Sequence, residues 1–189
     1  MIDDSDAVDV GAHLGEALER AGHAYALGGA LAYGMYGIPR ATHDVDINVF
    51  VALDGLGPVL ETLAAAGVAL DPERALKEAR QEGALIGRYG TMRIDVFVPS
   101  IPFSWEASRT RVKRTVAGHS LWFLSAEALA VFKLLFFRGK DLVDLERLVA
   151  VQGKKLDVAY VRKHLVDMMG EDDVRIAQWD QLVSDFTPR

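Results

Sequence analysis

The chain has 189 residues, half of them hydrophobic and a quarter charged, with 21 Lys and Arg against 27 Asp and Glu. A formal charge of −6 excludes a surface that binds polyanions as a whole, and the absence of cysteine excludes disulfides and thiolate zinc sites. This length holds one domain or two small ones, and no apolar run is long enough to span a bilayer. The acidic start, Met1 to Asp6, lacks the basic and apolar regions of a signal peptide, so the cytoplasm is the expected location.

In chain order, residues 8–21 predict a helix, with Val10, Leu14 and Leu18 at four-residue spacing. Residues 24–27 predict a short strand ending at Gly28-Gly29. A helix over 30–36 follows, stopped by Gly37 and Pro39. Residues 44–51 predict a strand, 58–66 a helix closed by Gly67, and 72–81 another helix. Residues 84–89 and 92–98 read as strands of a hairpin around Gly90-Thr91. From Ile101 the character changes. Residues 105–113 are polar and basic, and 116–124 read as two short strands, or one bent strand, around Gly118. Ser125 is a good N-cap for a helix through about Phe137. Residues 140–151, 157–169 and 173–185 predict three more helices. The expected fold class is α/β (α+β): a mixed sheet with flanking helices over 1–122, then a helical domain over 123–189.

Chemistry concentrates in Arg40-Ala-Thr42-His43-Asp44-Val45-Asp46-Ile47. On a strand, Asp44 and Asp46 point to the same face while Val45 and Ile47 turn toward a core. Side-by-side carboxylates repel unless a cation lies between them, and a hard divalent ion such as Mg²⁺ is the natural partner. In Arg93-Ile94-Asp95-Val96-Phe97, Asp95 is the lone acid of an apolar run. Placed beside the Asp44–Asp46 strand, it completes a set of three carboxylates able to hold two Mg²⁺ ions. Gly28-Gly29, between a strand and a helix, lets the backbone approach a phosphate closely.

Leu27-Gly28-Gly29-Ala-Leu-Ala-Tyr33, then Arg-Ala-Thr-His-Asp-Val-Asp-Ile at 40–47, resembles the signature of the nucleotidyltransferase superfamily. The form here is most similar to the AbiEii group and the mycobacterial MenT toxins. The C-terminal part agrees: Lys133 on a helix, followed by Arg138-Gly-Lys140-Asp141-Leu-Val-Asp144, is similar to the helical domain of that group. The resemblance covers about residues 24 to 165. It implies transfer of a nucleoside monophosphate from an NTP to a hydroxyl, with release of pyrophosphate. Asp44, Asp46 and Asp95 would be the catalytic and metal-binding residues. Gly28, Gly29, Arg40, Thr42, Lys133, Lys140, Asp141 and Asp144 would bind the nucleotide. Where many members of the superfamily place Ser after the first Gly, Gly29 offers only backbone, which fits the AbiEii-like branch.

Each position also has a plain structural explanation. Lys133 interrupts an apolar helix and would snorkel to solvent. Asp141 and Asp144 share a helix face and would pair with Arg138 or Arg147. Arg40 and Thr42 would brace a turn, and Trp105, Trp122 and Trp179 would pack. Arg109, Arg111 and Lys113 align on one face if that run is extended, either as a solvated strand edge or as a track for RNA phosphates.

The resemblance implies a toxin of a toxin–antitoxin pair that modifies the 3′ end of tRNA, with a cognate antitoxin as a further partner. The alternatives are transfer to a small antibiotic-type acceptor, transfer to a protein, or a catalytically silent nucleotide-binding module. No membrane partner is expected.

Overall fold

The structure is a computed structural model, and residues 6–186 are described; the acidic residues 1–5 lie outside that range. The helices are α1 Ala7–Arg20, α2 Gly29–Tyr36, α3 Leu56–Ala65, α4 Pro72–Glu82, α5 Pro102–Thr110, α6 Ala126–Phe136, α7 Gly139–Gln152, α8 Val158–Met169 and α9 Val174–Phe186. The strands are β1 Tyr25–Leu27, β2 Asp44–Val49, β3 Ala84–Tyr89, β4 Met92–Phe97, β5 Val112–Val116 and β6 His119–Phe123. The described chain divides into two compact units, 6–31 with 41–124 and 32–40 with 125–186, and the division falls inside α2. No described helix is long and apolar enough to cross a membrane.

The first unit is built on a six-stranded mixed sheet in the order β3-β4-β2-β1-β6-β5. β2 runs parallel to β4, and β1 parallel to β6; the remaining pairs are antiparallel. Alternation decides which side chains are buried. Val45 and Ile47 of β2 and Ile94 and Val96 of β4 are fully buried. Each such side chain contributes roughly 1.5–3 kcal/mol on leaving water. Asp6 caps α1 by accepting from the amide of Val8 at 2.7 Å, and Val10, Leu14 and Leu18 form its buried stripe. The α1 stripe packs against β1, β2 and β6.

One stretch departs from the sequence reading. Residues 102–110 form helix α5 rather than continuing an extended basic run. Pro102 sits in the first turn, where its missing N–H costs nothing. Phe103 and Ala107, four residues apart, are buried, and the Glu106 carboxylate pairs with Arg109 one turn on. The expected bent strand over 116–124 is instead the second strand of a hairpin. It turns at Ala117-Gly118, with φ of 48° and 86°.

The second unit is helical. Leu129, Leu134, Leu145, Leu148, Val161, Leu165, Ile176 and Leu182 are its buried stripes, with Trp179 1% exposed among them. Ser125 caps α6 as expected, accepting from the amide of Ala128 at 3.1 Å. α6 ends at Phe137, whose φ of 54° closes the helix in the left-handed region; Arg138 then opens α7. Residues 32–40 belong to this unit, tied by Gln152 Nε2 donating to the Tyr36 carbonyl at 2.6 Å. Trp105, in contrast to Trp179, is 41% exposed and is not a core residue.

Candidate active site

In the first unit, β2 and β4 lie side by side and parallel, with Asp44 opposite Arg93 and Asp46 opposite Asp95. The alternation that buries Val45, Ile47, Ile94 and Val96 therefore puts Asp44, Asp46, Arg93 and Asp95 together on the other face. The next strand extends this grid, with Ile86 opposite Asp95 and Arg88 opposite Arg93. Three carboxylates predicted from separate parts of the sequence thus share one patch of sheet.

Thr42 donates its hydroxyl to the Asp44 carboxylate just before the strand begins. Arg93 grips Asp95 from two residues away. Its Nε lies 3.0 and 2.9 Å from the two carboxylate oxygens, and its Nη2 lies 2.7 Å from Oδ1. The hydrogen bond and charge of Asp95, followed by Asp44 and Asp46, raise the proton affinity of the Arg93 guanidinium. Arg93 was absent from the sequence reading. Its signal was its place two residues before Asp95, on the same strand face.

The Gly28-Gly29 turn is pressed against this patch. The Gly28 amide donates to the Asp46 carbonyl at 2.8 Å. A Cβ on Gly28 would come within 2.8 Å of Asn48 Nδ2, and one on Gly29, where φ is +48°, would overlap the Asp46 carboxylate. Glycine at both positions is what lets the turn and Asp46 occupy neighbouring space. Gly29→Ala is expected to destabilise the protein by about 1–3 kcal/mol through left-handed backbone strain and displacement of Asp46. A urea midpoint equal to wild type would remove this account of the turn.

The basic run does not form one extended face. Arg109 ends α5 and pairs with Glu106. Arg111 donates to the carbonyl and hydroxyl of Ser108, both at 2.9 Å, with its guanidinium 4.7 Å from the centroid of the Trp122 ring. Lys113 lies 2.7 Å from Glu19, and its hydrogen bond is the main cause holding the Glu19 carboxyl below its usual range.

In the second unit, α6, α7 and residues 32–40 hold a buried charge network. Lys133 is 5% exposed, so it does not snorkel to solvent. Its Nζ lies 2.7 Å from Asp144 and 3.5 Å from Asp141, and 5.6 Å from the Tyr33 ring centroid. Arg138 Nε donates to Asp141 at 2.6 Å, and Arg40 reaches Asp144 at 3.5 Å. Burial works to raise the Asp141 pKa, but the Arg138 hydrogen bond and the Lys133 charge outweigh it and hold the carboxyl below its usual range. The buried members satisfy one another, while Arg138 and Lys140 are exposed. The Tyr33 hydroxyl is buried without a hydrogen-bond partner.

The donor set on the sheet is all oxygen, which suits a hard cation such as Mg²⁺. Among the described residues, no three His, Asp or Glu side chains already converge in a metal-holding arrangement. Thr42 and Arg93 engage Asp44 and Asp95 instead.

No family model matches the chain, and no curated protein matches it. Solved structures do. The antibiotic-resistance factor ANT(2'')-Ia, in its solution structure, is 13% identical with a TM-score of 0.58, over 97% of this chain and 92% of that one. The same factor, crystallised with adenylyl-2''-tobramycin, gives 13% identity and a TM-score of 0.51 over 93% and 95% of the two chains. An antigenic nucleotidyltransferase-like protein from Paracoccidioides brasiliensis gives 14% identity and a TM-score of 0.54 over 100% and 96%. The mixed α/β fold is thus that of solved nucleotidyltransferases and extends over nearly the whole chain.

Proposed function

We propose that the protein is a Mg²⁺-dependent nucleotidyltransferase that moves a nucleoside monophosphate from an NTP to an acceptor hydroxyl and releases pyrophosphate. The observation that carries this reading is the patch of Asp44, Asp46 and Asp95 on adjoining parallel strands, with Gly28-Gly29 against Asp46. The fold it shares with ANT(2'')-Ia supports the reading.

Asp44, Asp46 and Asp95 would hold the ions. When bound, Mg²⁺ would neutralise the phosphates and sharpen the attacking hydroxyl for an in-line displacement. Asp95 takes up the hydroxyl proton as the acceptor oxygen bonds to the α-phosphorus, and the bond to pyrophosphate breaks. Gly28 and Gly29 allow the triphosphate close to the backbone, and Thr42 fixes the Asp44 carboxylate. Arg40, Lys133, Lys140, Asp141 and Asp144 serve the nucleotide. The buried three hold the α6–α7 geometry, and the exposed heads of Arg40 and Lys140 meet phosphate.

Two acceptors have support. The resemblance to AbiEii and MenT proteins points to the 3′ end of tRNA and to a toxin with a cognate antitoxin. The pairing of Arg109, Arg111 and Lys113 within the chain instead favours a small hydroxylated acceptor, as does the adenylyl-tobramycin held by ANT(2'')-Ia. Purified protein incubated with Mg²⁺, each labelled NTP in turn, and either total tRNA or a panel of aminoglycosides tests both. Label in RNA selects the toxin, and label in a small molecule selects the antibiotic-type enzyme. No transfer to any acceptor, protein included, would sink the enzymatic reading.

A further inference from the structure

Arg93 stands at a corner of the carboxylate grid. Asp44 lies directly across from it on β2, and Asp95 lies two residues along its own strand. On the other side, Arg88 of β3 faces it directly, and a like charge there pushes the guanidinium toward the acids. The planar fork fits the Asp95 carboxylate with three donor contacts, a geometry a lysine would not reproduce. Arg93 thus occupies the oxygens that a divalent ion would need.

We propose that Arg93 is a resident counter-cation: it holds Asp95 while the site lacks metal, withdraws when a divalent ion enters, and so sets how tightly that ion is held. The proposal rests on the reading of Asp44, Asp46 and Asp95 as a metal site. Exposure decides which partner moves. The Arg93 side chain is 50% exposed and that of Asp95 is 16%. Arg93 therefore withdraws into water without stranding a buried charge, whereas Asp95 stays on the sheet with its neighbours. A partly exposed ion pair opens at little cost, so the exchange stays reversible. Before metal arrives, the guanidinium offsets the repulsion among three adjacent carboxylates and keeps Asp95 aimed.

The test uses Mn²⁺ alone, titrated into the full chain without nucleotide and followed by the electron paramagnetic resonance of the free ion. Arg93→Gln is expected to bind Mn²⁺ about tenfold more tightly than wild type, because a competing charge beside the site is gone. Arg93→Lys keeps the charge but loses the fork, and is expected to fall between the two. Asp95→Asn is expected to weaken binding and to erase the effect of Arg93→Gln when the two are combined. Unfolding curves establish that the variants fold, and Arg93→Lys carries the comparison should Arg93→Gln not fold. Equal or weaker binding by Arg93→Gln, with Asp95→Asn still weakening binding, overturns the role of Arg93 and leaves the metal site standing. Absence of Mn²⁺ binding in wild type and Arg93→Gln alike, with Asp44→Asn without effect, overturns both.

Discussion

Replacing Lys133 with methionine is expected to cost about 3–5 kcal/mol of stability, because Asp141 and Asp144 would be left buried without their shared cation. A typical domain has only about 5–15 kcal/mol in total, so the helical unit would stand near its unfolding threshold. Urea denaturation followed by circular dichroism measures the loss. The same measurement on Lys133→Met with Asp141→Asn and Asp144→Asn is expected to recover much of it, since the cost lies in stranded charge rather than lost volume. A single variant as stable as wild type would show that the network carries no buried charge. Acid gives an independent check. In wild type the Asp141 pKa is held below its ordinary value of 3.8, so its contribution is present above that value and is lost as pH falls through the depressed one. In the Lys133 variant the sign reverses: an uncompensated buried carboxyl binds a proton more readily, so mild acid is expected to restore stability.

Asp46→Asn is expected to lower nucleotidyl transfer on the order of 10³-fold while leaving the fold intact. The side chain lies on the same sheet face as Asp44, Asp95 and Arg93 and abuts the Gly28-Gly29 turn. Its neighbours there are mostly like charges. Removing one negative charge relieves repulsion, so the melting temperature is expected to hold or rise even as turnover collapses. That divergence marks a residue kept for chemistry rather than for folding. Transfer within a few-fold of wild type would remove Asp46 from the reacting machinery. Joint loss of stability and activity would instead make it a structural residue.

The two-residue alternation of Asp44-Val-Asp46-Ile and Arg93-Ile-Asp95-Val was enough to read the carboxylate face, because burial of Val45, Ile47, Ile94 and Val96 fixes which way the acids point. The helices over 126–186 were legible from caps and apolar stripes: Ser125 and Asp157 cap as their types dictate. Two things were not legible. α5 was hidden because its basic residues were read as a group, whereas Arg109 belongs to a helical turn with Glu106 and Lys113 to a strand. The grip of Arg93 on Asp95 was hidden because an arginine on an exposed strand position has many possible partners. Only the pairing of β4 with β2 and β3 shows which charges surround it. The pairing of Arg40 with Asp144 likewise joins positions far apart in the chain. Local pattern assigns a residue's direction but not its distant partner.

The allocation of residues 32–40 to the helical unit has a consequence for synthesis. As the chain leaves the ribosome, the sheet can assemble once residue 124 has emerged, but the loop between β1 and β2 cannot. Tyr36 waits for Gln152, and Arg40 for Asp144. A nascent chain stalled after residue 124 would therefore carry a sheet interrupted by an unsettled insertion, with apolar Ala32 and Tyr33 bared to chaperones. The strand bearing Asp44 and Asp46 begins just beyond that insertion. Final setting of the segment that leads into this strand thus comes only when the last third of the protein has been made.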